Sequence, residues 1–220
     1  FIGNLKAGDA EQEKPSENRL WCTSFEDTVM KKDIMFPRNW NYRGKFATTD
    51  AVFKIVKDGD RSILKMTADK GSGAIYFDNA IPVDLKKNPI MRWKWKANIL
   101  PTGADAHNSD KDDQAIGIYV GTGKLIRQCI AYRWETETKT GDSGNVTYGG
   151  GFVNVKWYAI RNKNSELGKW YIDERDIAAD FKESFGFIPE QFTISISCNS
   201  QFTGSNSEGY IEWIEFIPAK

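Results

Sequence analysis

Three kinds of side chain in this sequence could do chemistry, and their spacing limits which. The single histidine, His107, lies in the polar stretch ADAHNSDKDD. Zinc catalysis needs two or three His or Cys ligands at compact spacing, and a Ser-His-Asp relay needs an imidazole fixed by its surroundings. An isolated loop imidazole reads as a solvated group, which argues against histidine-based metal chemistry. The same stretch holds Asp105, Asp110, Asp112 and Asp113. Carboxylates at that density can hold a structural calcium ion if loop carbonyls join them, so Asp112 and Asp113 form one candidate metal site. The run D-x-D-D lacks the Gly and terminal Glu of an EF-hand loop, and a solvated acidic loop with Asp113 anchoring the next strand accounts for the same residues. A second calcium candidate pairs Glu26 and Asp27 with Glu215, should the first and last strands be neighbours; ordinary edge charges are the alternative. Glycoside hydrolysis needs two carboxyls facing each other roughly 5 to 10 Å apart. Glu135, Glu137, Asp173, Glu174 and Asp176 are too many to choose from, so no catalytic residue is nominated. No phosphate-cradling, dinucleotide-binding or nucleophile-elbow motif is present, and no cofactor beyond possible structural calcium is implied.

The remaining lead is aromatic and cationic. In PIMRWKWKA, from Pro89 to Ala97, Met91, Trp93 and Trp95 alternate with Arg92, Lys94 and Lys96. Period two puts the indoles on one face of a strand and the cations on the other. Tyr132 and Trp134 flank Arg133, Tyr119 follows Gly117 by two, and Trp157-Tyr158 precedes Arg161. Rings beside guanidinium and amide groups are how a sheet grips a sugar, stacking on its apolar face and donating to hydroxyls or a uronate carboxylate. Arg92, Lys94, Tyr119, Arg133, Trp134, Tyr158 and Arg161 are therefore the candidate ligand-binding residues. Core packing explains many of the same positions. Eight Trp in 220 residues exceed what core filling usually demands, so some indoles are expected at a surface.

Positioning these groups requires strands. Ten are read: 20–25, 46–56, 62–67, 73–77, 90–99, 114–120, 125–135, 152–161, 191–198 and 209–216. Turn chemistry separates them, as at Asp58-Gly59 and Gly121-Thr122-Gly123, and the glycine-rich 138–151 reads as a long hairpin loop. One helix is expected near 174–185, with Asp173 as N-cap, Ile177, Phe181 and Phe185 on one ridge, and Gly186 as the stop. Many short strands and one helix make the fold class all-β, a jelly-roll β-sandwich of antiparallel sheets. Residues 1–19 are polar, read as a leader or linker, and 20–220 as a single domain. A chain opening at Phe1 without Met is expected of a processed or truncated protein. The 30 Lys and Arg balance 30 Asp and Glu, which removes the long-range pull that a nucleic-acid binder uses. No apolar run approaches a membrane span. Cys22, Cys129 and Cys198 have no CxxC spacing; one disulfide with a spare thiol and three buried thiols both stay open.

Six segments in order resemble a bacterial family known as domain of unknown function 3047: SFED (24–27), NPIMRWKWK (88–96), KDDQAIGIYV (111–120), AYRW (131–134), IRNKNSELGKWYIDERDIAADFKESFG (160–186) and EGYIEWIEF (208–216). The resemblance spans about Leu20 to Phe216. It implies a secreted or periplasmic protein with architecture similar to galactose-binding-like jelly rolls used as carbohydrate-binding modules, and it names no activity. Asp112, Asp113, Arg161, Trp170, Arg175 and Asp180 match the pattern, the last three as structural residues. Two departures stand out. The family tends to place an Arg where this chain has Gly117, and an acidic turn where it reads Cys198 to Thr203. The reading that follows is a non-catalytic periplasmic or extracellular module for a glycan or similar polar polymer. A polysaccharide lyase using a Tyr or Lys base, and a structural subunit of an envelope assembly, are the alternatives.

Overall fold

Period-two alternation is realised along most of the chain. The computed structural model describes residues 10–123 and 126–219. Its strands are β1 (Trp21–Thr23), β2 (Thr28–Lys31), β3 (Ile34–Pro37), β4 (Trp40–Gly44), β5 (Thr49–Asp50), β6 (Val52–Asp58), β7 (Arg61–Asp69), β8 (Gly71–Phe77), β9 (Ile90–Ile99), β10 (Gln114–Thr122), β11 (Arg127–Trp134), β12 (Ser143–Tyr148), β13 (Val153–Arg161), β14 (Tyr171–Asp176), β15 (Thr193–Asn199) and β16 (Asn206–Ile217), with helix α1 (Ile177–Phe185) between β14 and β15. A six-stranded sheet runs β14-β9-β16-β7-β6, with β1 on β16; an eight-stranded sheet runs β12-β13-β11-β10-β15-β8-β4, with β5 on β8. The chain passes repeatedly from one sheet to the other, the wrapping of a jelly-roll β-sandwich.

The indoles of PIMRWKWKA set the interior. Met91, Trp93 and Trp95 have no exposed surface. Trp93 stacks on Tyr132 at 5.2 Å and Trp95 meets Trp134 edge-on at 5.3 Å, so β9 and β11 face each other across the core. Two of the four polar tips are satisfied, Trp95 Nε1 donating to Asp173 at 2.7 Å and the Tyr132 hydroxyl to Asp180 at 2.6 Å, while Trp93 Nε1 and Trp134 Nε1 are buried without a partner.

Several sequence expectations change. The helix begins at Ile177, because Tyr171–Asp176 is a strand paired with β9; Asp176 is the N-cap, its carboxylate accepting from Ala179 N, and Gly186 at φ 81° is the stop as read. Asp173 instead points inward from β14. The stretch read as a hairpin loop contains β12, and β13 returns parallel to β11, so the larger sheet is not wholly antiparallel. Strand β4 and the β2-β3 hairpin were missed because Lys32, Asp33 and Asn39 turn tightly at positive φ without the glycine that flags such turns. The expected strand start at Leu125 lies outside the described residues. All three cysteines are free.

Residues 10–19, part of the stretch read as a leader or linker, lie across the outer face of the six-stranded sheet. There Lys94 is fully buried, its ammonium donating to the carbonyls of Glu11 (2.9 Å) and Glu13 (3.1 Å) and pairing with Glu212 at 2.9 Å. Arg92 bonds Glu13 and Glu215, and Ser16 N donates to Glu215 at 2.7 Å. Trp170, Trp213, Ile63 and Ile172 form a small apolar cluster closed by Ala10. Truncating one partner of a buried, multiply bonded charge strands the others, which costs about 3 kcal/mol or more. Lys94→Ala is expected to lower unfolding free energy by about that amount in urea titration, whereas Lys54→Ala, exposed on β6, stays within about 0.5 kcal/mol.

Candidate functional site

The outward face of the eight-stranded sheet is built from the residues that alternate with its core side chains. Register places two rows across it. One reads Gly144, Trp157, Ala131, Tyr119, Ser195, Tyr76 and Asn41; the next reads Ala159, Arg133, Gly117, Ser197, Ala74 and Arg43. Solvated strand faces ordinarily carry long polar or β-branched residues. Here the middle of the face is Gly, Ala and Ser, so the backbone floor lies open to whatever the taller residues do not fill.

On the β13 and β11 side the taller residues fill it. Arg133 has no exposed surface. Its Nη1 donates to Asp112 at 2.6 Å and lies 3.6 Å from Glu135, and its Nη2 donates to the Tyr148 hydroxyl at 3.2 Å. Tyr148 in turn donates to Asp112 at 2.7 Å. The guanidinium sits between the rings of Tyr119 and Trp157, each 5.9 Å from it. Gly144 is what lets the Trp157 indole lie flat over β12, since a Cβ there would collide with it. Gly117 plays the same part under Tyr119: an added Cβ would meet the Tyr119 ring at 2.7 Å and Ser197 Oγ at 2.8 Å. An arginine at 117 would occupy the space that Tyr119 takes.

Beyond Tyr119 the face stays hollow. A groove of about 350 Å3 runs over β10, β15 and β8 to β4. Ser197, Ala74 and Ser72 floor it, Tyr119 and Tyr148 bound it on one side, and Phe202 with Arg43 and Lys45 on the other. Gln114 Nε2 donates to the Tyr119 hydroxyl (3.1 Å) and Ser197 Oγ (3.0 Å), fixing the amide at the groove's end. Phe202 is 43% exposed and Phe46, next to Lys45, is 98% exposed.

The candidate ligand residues are thus dispersed. Tyr119 and Arg133 come together at the groove. Arg92 and Lys94 belong to the opposite side of the molecule, under residues 10–19. Trp134 is interior, with no exposed surface, because Arg133 and not its neighbour takes the outward position. Tyr158 stacks against Tyr132 at 6.1 Å near α1, and Arg161 forms a two-bond pair with Asp173 at 2.7 and 2.8 Å while covering the Tyr171 ring at 3.8 Å. Surplus indoles are not at the surface either: seven of eight are buried and Trp21 is half-buried, since the two outer clusters use Trp157, Trp170 and Trp213 in addition to the core.

Neither calcium arrangement forms. Asp112 binds Arg133 and Tyr148, while Asp113 accepts from Asn199 Nδ2, Phe202 N, and the backbone and hydroxyl of Thr203. The turn after β15 therefore supplies the donors that hold Asp113. Glu215 is held by Arg92 and Ser16, and exposed Asp27 by Arg38 at 2.7 Å. Among the described residues no group of three or more His, Cys, Asp or Glu is arranged to hold a metal ion, and no helix is long and apolar enough to cross a membrane. His107 packs edge-on against Trp157 at 5.1 Å and faces Asp142 at 3.3 Å.

Comparisons bear on identity and shape. The family described as Protein of unknown function (DUF3047) matches residues 38–215. The chain belongs to this family. No curated protein matches. Among solved structures, the family 11 carbohydrate-binding module of the cellulosomal cellulase Lic26A-Cel5E of Clostridium thermocellum is similar at 11% identity, with 94% of this chain and 97% of that chain covered and a TM-score of 0.45. The xyloglucanase domain of NopAA, a type three effector from Sinorhizobium fredii, in complex with cellobiose, gives 9% identity, 90% and 100% coverage and 0.46. The native family 12 xyloglucanase from Bacillus licheniformis gives 12%, 90%, 100% and 0.45. What the DUF3047 face can do is read from its own side chains.

Glu135, which sequence reasoning set aside among surface carboxylates, is fully buried beside Arg133, and neither carboxylate oxygen has a hydrogen-bond donor. Burial pushes its carboxyl up from 4.5 to about 7, against the opposing pull of Arg133. A folded-state value above the unfolded one means the native protein holds a proton that the unfolded chain releases. Its contribution is complete below about pH 4.5 and is lost as pH rises through 7, a swing of about 3 kcal/mol. Glu135→Gln is expected to flatten the fall in thermal midpoint between pH 5 and pH 8; an unchanged slope in the melting curves would assign that fall to other groups.

Proposed function

We propose that this DUF3047 protein is a glycan-binding module that holds its ligand in the groove on the outer face of the eight-stranded sheet, in the periplasm or outside the cell. One observation carries the reading: a small-residue floor, open to solvent, bordered by aromatic rings and planar polar groups. A sugar ring has an apolar face to stack on Tyr119, Tyr148 or Phe202 and a belt of hydroxyls for Ser72, Ser197 and Arg43. The Tyr119-Gln114-Ser197 contacts fix these groups before a ligand arrives, which reduces the ordering entropy of binding.

The chemistry of the groove favours binding over turnover. Among the described residues Asp112 is the one carboxylate lining it, and it already holds Arg133 and Tyr148. Burial raises the phenols of Tyr119 and Tyr148, so neither is readily made a base near neutral pH. Glu135 has the more useful range and no surface through which a substrate could reach it.

A glycan array probed with the whole chain, with calcium and with chelator, is expected to give the same hits under both conditions. Tyr119→Ala should weaken the best of them at least tenfold, and Arg92→Gln, on the other sheet, should leave them unchanged. An array without hits removes the proposal. Incubation with uronic-acid polymers should show flat absorbance from unsaturated product, and steady growth would establish the lyase alternative.

A further inference from the structure

Most cations of this chain that approach a sheet face are neutralised there. Arg92, Lys94, Arg133, Arg161 and Arg175 all pair with carboxylates. Arg43 and Lys45 are not, and neither, among the described residues, are Lys96 and Lys156, which also lie over rings; of these four, Arg43 and Lys45 are the two that border the groove. Both are exposed at the β4 lip of the groove, and among the described residues neither forms an ion pair. Each is held over a ring instead, Arg43 5.1 Å from the Tyr76 centroid and Lys45 4.5 Å from that of Phe202. Cation-π contact steers a side chain without cancelling its charge.

Of the acids near that lip, Asp112 serves Arg133 and Tyr148, whereas Asp50, exposed against Gly44 beside the Tyr42 phenol, forms no ion pair among the described residues and keeps its charge, so the two cations outnumber it. The floor between lip and Tyr119 offers hydroxyls and no further carboxylate. A groove with two uncancelled cations on one side and a neutral floor favours a ligand that brings negative charge.

Resting on the glycan-binding reading above, we propose that the groove selects an acidic glycan, one whose sugars carry carboxylates, with Arg43 and Lys45 receiving a uronate carboxylate while a neighbouring ring stacks on Tyr119 or Phe202. A planar guanidinium takes a carboxylate in two parallel hydrogen bonds, which suits Arg43 for orientation and Lys45 for charge. Because both cations are at the surface, the preference weakens as salt rises.

Calorimetric titration of the whole chain tests this with tetragalacturonate and tetramannuronate against neutral counterparts, the methyl ester of tetragalacturonate and mannotetraose. At least one uronate is expected to bind tenfold or more tightly than its counterpart. Arg43→Gln combined with Lys45→Gln should abolish that margin, weakening the uronates at least tenfold more than their neutral counterparts, and leave the thermal midpoint where it was. Equal affinity for charged and neutral ligands, with the double variant indifferent, overturns the acidic preference while the binding reading stands. Failure of every oligosaccharide to bind overturns both. Acetate or inorganic phosphate binding alone as tightly as the uronates, and losing it in the double variant, would mark a free-anion site and overturn the proposal.

Discussion

A guanidinium with no exposed surface must be surrounded by groups that replace its water, and Arg133 organises one half of the eight-stranded sheet's outer face on that account. Asp112, Tyr148 and Glu135 converge on it from three different chain segments, and Tyr119 and Trp157 close over its flanks. That assembly fills the face from β13 to β10. The open groove begins where it stops, against Tyr119. The groove is therefore what remains of a small-residue sheet face after one buried cation has drawn the large side chains to one side.

The two sheets treat their outer faces differently. On the six-stranded sheet the outward Arg92 and Lys94 are covered by residues 10–16, and outward Trp170 and Trp213 pack with Ile63, Ile172 and Ala10. On the eight-stranded sheet a second cluster of Cys129, Ala131, Val155, Trp157 and Ala159 covers only part of the face. The alternating pattern that suggests one dry side and one wet side thus marks, here, a sandwich with partial layers outside each sheet.

Legibility follows from this. Alternation located β9 residue for residue and found most central strands, because period two survives wherever one side is dry. Short strands at positive-φ turns without glycine, and β12 within a polar run, carried too little apolar signal. The candidate site was half legible. Tyr119 and Arg133 stood out as an aromatic and a cation on alternating positions, but the same logic chose Lys94 and Arg92, because a cation opposite an indole looks alike whether water or another chain segment covers it. Trp134 was misplaced by grouping neighbours that alternation separates. The groove's own mark was present and unread: TISISCN in β15 and Gly117 in β10 put Ser and Gly on outward positions where bulk is usual. What could not be read was Glu135, whose burial depends on Arg133 and on strands distant in sequence.

The central claim is that ligand meets the eight-stranded sheet and not the six-stranded one. Amide hydrogen exchange of the whole chain, with and without a bound oligosaccharide, tests it most directly. The account predicts added protection in β10, β15, β8 and the turn 199–203, with β9, β14 and β16 unaltered. Protection confined to β9, β14 and the overlying residues 10–16 would contradict it.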